Sequence, residues 1–155
     1  MSATNQSSGG TILVVDDERG LRALARRILE PAGYEVIEAA DGQQALDAIG
    51  RGVRVDLLMV DLDMPVMRGE ELAERVRVLR PDLRVLYVTA QSDLLFQQKP
   101  ELRVGEAFLD KPFTVPGLLE AVSLLKVGFI TAPPPVAISP LKRLWRDTIA
   151  RLFPG

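Results

Sequence analysis

Leu57-Leu58-Met59-Val60-Asp61-Leu62-Asp63-Met64-Pro65 is the stretch whose reading decides the fold. Four apolar residues run straight into a carboxylate, and a Met-Pro pair follows closely. An apolar run this short fits a strand buried on both faces, as in a parallel sheet covered by helices. Pro65 cannot donate a ladder hydrogen bond, so the strand ends near it. Asp61 therefore stands where a strand leaves the core, and in open α/β sheets ligands bind along that edge. Taken alone, Asp61 is most simply a solubilising carboxylate at a strand end. Its neighbours change that reading.

The same pattern recurs upstream in Thr11-Ile12-Leu13-Val14-Val15-Asp16-Asp17. Residues 20–29 then show helical spacing, with Leu21, Leu24, Ala25, Ile28 and Leu29 on one face and Arg19, Arg22, Arg26 and Arg27 largely off it. Pro31 and Gly33 break that helix. Residues 34–39 read as a second strand. Asp41-Gly42 turns into a short helix that points Ala45, Leu46, Ala48 and Ile49 inward. A third helix covers 70–79 with Leu72, Ala73, Val76 and Leu79 facing the core, and Pro81 ends it. A fourth strand follows at 84–89, then a short helix at 92–98 capped by Ser92. The fifth strand, 106–109, exits into Asp110-Lys111-Pro112, and Thr114 caps a fifth helix that runs to residue 126. Strand and helix alternate five times, which argues for a doubly wound α/β sheet of parallel strands flanked by five helices.

The totals narrow the chemistry. The 155 residues are 47% hydrophobic and 26% charged, in the range of an ordinary globular domain with an appendage. No apolar run reaches the length of a membrane-spanning helix. The absence of cysteine excludes disulfides and thiolate sites, and the absence of histidine excludes imidazole zinc sites and His general bases. A metal must then be held by oxygen, which points to a hard cation such as Mg²⁺. Any phosphohistidine in the reaction must come from another molecule. The net charge of −2 divides into +3 on residues 127–155 and −5 on the rest. An acidic main body is not expected to bind nucleic acid.

Each strand delivers a chemical group at its carboxyl end. The first gives Asp16 and Asp17, the third Asp61, the fourth Thr89 and the fifth Lys111. In a parallel sheet these ends share one edge, so three carboxylates, a hydroxyl and an ammonium converge on one crevice. Crowded carboxylates repel, and a divalent cation relieves the repulsion. With Mg²⁺ bound, one carboxylate can attack a phosphoryl group while metal and lysine neutralise the equatorial oxygens. Separately, each residue has a plainer reading: a helix cap for Asp16-Asp17, a β-former for Thr89, a loop lysine for Lys111, a core aromatic for Phe108. Together and in this order they do not.

Over roughly residues 11–126 the sequence resembles the CheY-like receiver domain of two-component response regulators, of a single-domain type with a C-terminal helical extension. The resemblance rests on Ile12-Leu13-Val14-Val15-Asp16-Asp17-Glu18, Asp61-Leu62-Asp63-Met64-Pro65-Val66-Met67-Arg68-Gly69, Val88-Thr89-Ala90 and Phe108-Leu109-Asp110-Lys111-Pro112-Phe113. It implies a flavodoxin-like strand order 2-1-3-4-5. It also implies that Asp61 accepts a phosphoryl group from the phosphohistidine of a sensor histidine kinase or phosphotransfer protein. Asp17 would bind Mg²⁺ directly, Asp16 through water, and Asp63 by its backbone carbonyl, with Asp61 completing the metal site. Lys111 would contact the phosphoryl group, Thr89 would move to meet it, and Phe108 would turn inward as the second half of the switch. The altered surface would lie around the fourth helix, fifth strand and fifth helix, available to a downstream protein target or a second copy. A cytoplasmic phosphoacceptor follows, not an enzyme acting on outside substrates. Two departures stand out. Many receivers carry Tyr where this chain has Phe108, and Pro100 falls where the fourth helix normally continues, at a cost of about 3 kcal/mol.

Residues 1–10 read as a disordered leader, 11–126 as the receiver and 127–140, with Pro133-Pro134-Pro135 and Pro140, as an extended linker. Residues 141–155 form a basic amphipathic helix through Leu141, Leu144, Trp145, Ile149, Leu152 and Phe153. It is too short for a helix-turn-helix domain, so no DNA-binding output is expected within this chain. Docking on its own receiver or on a second copy is the leading reading of that helix; a partner protein and an anionic membrane are the others. Two other functions compete for the whole chain. One is a pseudo-receiver that binds partners constitutively, which the full set of core residues opposes. The other is a haloacid-dehalogenase-like phosphatase, whose nucleophile motif resembles Asp61-Leu62-Asp63. Those enzymes carry that motif on the first strand and the acidic pair late, the reverse of the order here.

Overall fold

A computed structural model describes residues 9–90 and 105–127. The leader through residue 8, the helix expected at 92–98 with Pro100 beyond it, and the linker and basic helix from 128 onward lie outside the described residues. Five strands form one parallel sheet: β1 (Thr11–Val15), β2 (Glu35–Ala39), β3 (Leu57–Asp61), β4 (Arg84–Thr89) and β5 (Glu106–Asp110). Their spatial order is β2-β1-β3-β4-β5. Among the described residues four helices flank the sheet: α1 (Arg19–Leu29), α2 (Gly42–Gly50), α3 (Gly69–Leu79) and α4 (Val115–Val127). This is the doubly wound arrangement that the alternating pattern predicts, in the flavodoxin-like order that the family resemblance implies.

The central strand behaves as its composition requires. Every residue of β3 is buried, because helices cover both faces of a parallel sheet. Leu58, Val60, Leu13 and Leu86 are wholly buried at the centre of the core. Side chains cap two helices. Asp41 accepts from the Gln44 backbone N–H at 2.8 Å to start α2, and Thr114 accepts from Gly117 N–H at 3.0 Å to start α4. Both supply an acceptor to an otherwise unpaired N-terminal donor.

Two apolar faces depart from expectation. Leu24 is exposed, while Ala25, Ile28 and Leu29 carry the burial of α1. At 3.6 residues per turn Leu24 sits about 60° round from Leu21, on the margin of the stripe. Leu79 is also exposed. The buried arc of α3 runs through Leu72, Val76 and Ala73 and on to Arg77, whose side chain is only 15% exposed. Taking a charged residue into that arc rotates Leu79 toward solvent.

Candidate functional site

The strand register brings the sequence-predicted residues to one edge. Val15 pairs with Val60, Asp61 with Val88, and Thr89 with Asp110. Asp16 and Asp17 follow β1 directly, and Lys111 follows β5. The carboxylates of Asp16, Asp17 and Asp61 lie within 4.8 Å of one another. Asp16 and Asp61 are buried and Asp17 is exposed, so the cluster opens to solvent on the Asp17 side.

Lys111 is the cation of this group. Its Nζ stands 3.0 Å from Asp16 Oδ2 and 3.3 Å from Asp61 Oδ2. Burial alone would lower the lysine pKa, but the hydrogen bond to Asp16 and the charges of Asp16 and Asp61 outweigh it and raise it. Lys111 therefore stays an ammonium. Asp16 is shifted upward, chiefly because burial disfavours its charge, against the opposing pull of the Glu18 N–H and Lys111. One ammonium does not offset three carboxylates. The donor set is oxygen only, partly desolvated and short of positive charge, and it fits a hard divalent cation.

Backbone contacts hold the carboxylates in place. Glu18 N–H donates to Asp16 Oδ1 at 2.8 Å, and Asp63 N–H donates to Asp61 Oδ1 at 3.1 Å. Gly69, at the start of α3, packs so closely that a Cβ there would stand 2.6 Å from the Asp61 carbonyl oxygen. Thr89 is buried, and its hydroxyl lies 3.4 Å from Asp63 Oδ2. Asp63 itself is exposed and is not one of the three clustered carboxylates. Phe108 is buried, at 6% exposure.

Sequence reasoning missed two sets of residues. Arg22 of α1 donates to the Asp16 carbonyl at 2.7 Å and pairs with Glu38 at 3.4 Å, tying the acidic loop to β2. Glu106, Tyr87 and Arg77 form a largely buried polar cluster between α3 and the β4–β5 pair. A carboxylate opening an apolar strand was the one visible cue to the second set. Nothing in the sequence marks Arg22, because its contact depends on how α1 is rotated on the sheet.

A doubly wound sheet with an acidic triad, a lysine and a hydroxyl at its carboxyl edge defines a phosphoacceptor class, and comparison with known proteins gives the family. The model of the response regulator receiver domain matches residues 12–123. The sporulation initiation phosphotransferase F of Bacillus subtilis is 37% identical over 112 residues, covering 72% of this chain and 89% of that protein. The sensor kinase CckA of Brucella abortus is 34% identical over 77% of this chain, but the match spans only 13% of the kinase. Among solved structures, the response regulator TrrA of Thermotoga maritima, in complex with Mg²⁺ and BeF, superposes with a TM-score of 0.62 at 32% identity. That match covers 75% of this chain and 98% of TrrA. The chain belongs to the response regulator receiver family. It contains a phosphoacceptor receiver domain of two-component systems, a kind of domain that binds Mg²⁺ in an acidic pocket and works with histidine kinases and phosphotransfer proteins.

Proposed function

We propose that Asp61 is the phosphoacceptor. A carboxylate oxygen of Asp61 attacks the phosphorus of a partner's phosphohistidine, the P–N bond breaks, and an acyl phosphate forms. The imidazole nitrogen leaves with the bonding pair and takes a proton. The observation that carries this reading is the Asp61 carboxylate at a buried strand end, held by Asp63 N–H and Lys111 within the acidic cluster. Lys111 is placed to follow the incoming phosphoryl oxygens, since its two present partners are Asp16 and Asp61 themselves. Asp16, Asp17 and Asp61, with the Asp63 carbonyl, would hold Mg²⁺. When bound it supplies neutralisation of phosphoryl charge. Thr89 supplies a hydroxyl for the phosphoryl group once it has arrived, and to do so it must turn from Asp63.

The output of this reaction is a protein contact, either in a phosphorelay or with a separate effector, and the chain turns over no external substrate. Cytoplasmic placement accords with a kinase partner. The test is incubation of the purified chain with Mg²⁺ and either acetyl phosphate or a panel of phosphorylated histidine kinases. The expected product is one base-labile phosphate per chain, lost in Asp61→Asn and on chelation of the metal. Absence of label with every donor would leave the pseudo-receiver, and steady release of phosphate from small phosphomonoesters would favour the phosphatase.

A further inference from the structure

Glu106 is a carboxylate at the head of the apolar run Ala107-Phe108-Leu109 of β5. It opens the strand at 1% exposure. A charge at that depth persists only when paired and hydrogen-bonded. Both conditions are met. Arg77 of α3 stands 2.9 Å from Glu106 Oε2, and the Tyr87 hydroxyl donates to the same oxygen at 2.6 Å. Tyr87 is wholly buried. Burial first, then the charge and hydrogen bond of Glu106, push its phenol well above the ordinary range, so the hydroxyl remains a donor.

The register sets this cluster beside the switch residues. Val85 pairs with Glu106, Tyr87 with Phe108 and Thr89 with Asp110. Alternate residues of a strand return to one face, so Glu106, Tyr87, Phe108 and Thr89 share a face of the sheet. The family-implied role of Phe108 is to turn between an outward and an inward position. In this chain the outward position has little to recommend it. Phe108 carries no hydroxyl to meet water, and its departure from beside Tyr87, its register partner, would leave a void in the core. Tyr87 cannot move into that void without releasing Glu106, and Glu106 cannot move without stranding Arg77.

We propose that Arg77, Glu106 and Tyr87 are positioning residues that keep Phe108 in a single buried rotamer, leaving Thr89 as the moving member of the switch pair. The first half stands on the buried network alone; the second rests on the reading of Asp61 as phosphoacceptor. Three-bond couplings from Phe108 Cγ to its backbone nitrogen and carbonyl carbon, measured on the full chain, report χ1 directly. The wild type should show one rotamer both alone and with Mg²⁺ and beryllofluoride. Tyr87→Phe, which keeps the ring and removes the hydroxyl, should give couplings averaged over two rotamers, and so should Glu106→Gln. A rotamer change in the wild type on adding beryllofluoride would overturn the proposal. So would a single rotamer retained in both variants, even if both melted at lower temperature, because the network would then be structural only. Amide shifts around Asp61 report separately whether beryllofluoride binds. Failure there would sink the phosphoacceptor reading, while the comparison without beryllofluoride would still decide the rotamer question.

Discussion

Arg22 places a cation on the loop that carries Asp16 and Asp17, and two effects of that placement oppose each other. Its charge repels a divalent ion, while its hydrogen bond to the Asp16 carbonyl holds the ligands in register. The bond is short, and Glu38 already offsets part of the charge. Positioning should therefore win, and Arg22→Gln should weaken Mg²⁺ binding about fivefold, the equivalent of one hydrogen bond of about 1 kcal/mol. Calorimetric titration decides by sign, since tighter binding would mean that charge dominates. A second expectation concerns alkaline pH. The folded-state pKa of Tyr87 lies above its unfolded value, so its contribution to stability is complete below about pH 10 and is lost as pH rises beyond that. Lys111 is shifted in the same direction. Stability should fall above about pH 10, and Tyr87→Phe should remove about 1.4 kcal/mol per pH unit of that slope. Equal slopes in denaturant melts of the two proteins would refute this. At this scale Asp16, Asp17, Asp61, Thr89 and Lys111 were legible because each terminates or follows an apolar run. Arg22 and Arg77 were not, because a helical arginine reads as a solvated face until the rotation of the helix is known.

At the scale of elements, the entry into α3 is tightly packed against the backbone of the Asp61 strand end. Because the atoms facing Gly69 are backbone, Gly69→Ala cannot be absorbed by a side-chain movement. It should cost about 1–3 kcal/mol by denaturant titration and, on the proposal that Asp61 is the phosphoacceptor, slow its labelling, since the displaced atoms belong to the Asp61 peptide. The preceding loop carries strain of another kind. Val66 has φ 72° and is fully exposed, and Met67 N–H donates to the Pro65 carbonyl at 2.8 Å across it. A β-branched residue at positive φ is a steric outlier, and no burial offsets it. The bond closes a γ-turn centred on Val66, a conformation strained for any side chain, so Val66→Gly should raise stability by about 1 kcal/mol, and an unchanged or lower unfolding midpoint would count against that. The strands were readable from short apolar runs bounded by Gly, Pro and Asp. The helix faces were less so. Leu24 and Leu79 fit the apolar period, yet each lies at the margin of an arc whose centre is set by neighbours in three dimensions.

For the molecule as a whole, alternation of elements was enough to reach the sheet and its parallel sense, and the family resemblance supplied the strand order. Among the described residues no helix is long and apolar enough to cross a membrane. Mg²⁺ that binds only the folded chain should raise its unfolding free energy by about 2.7 kcal/mol at a hundredfold excess over Kd. A chelator should reverse the gain. An unshifted melting curve in saturating Mg²⁺ would mean that the acidic cluster holds no divalent ion. The Arg77–Glu106 pair has one more consequence, and it concerns descent. Replacing either partner alone takes the paired counter-charge from a largely buried ion, at a cost of about 1–3 kcal/mol against a total stability of about 5–15. Lineages that lose one should therefore have lost both, or passed through a neutral isostere. Tyr87 is freer to drift to Phe. Across related sequences these two positions, distant along the chain and on different elements, should rise and fall together.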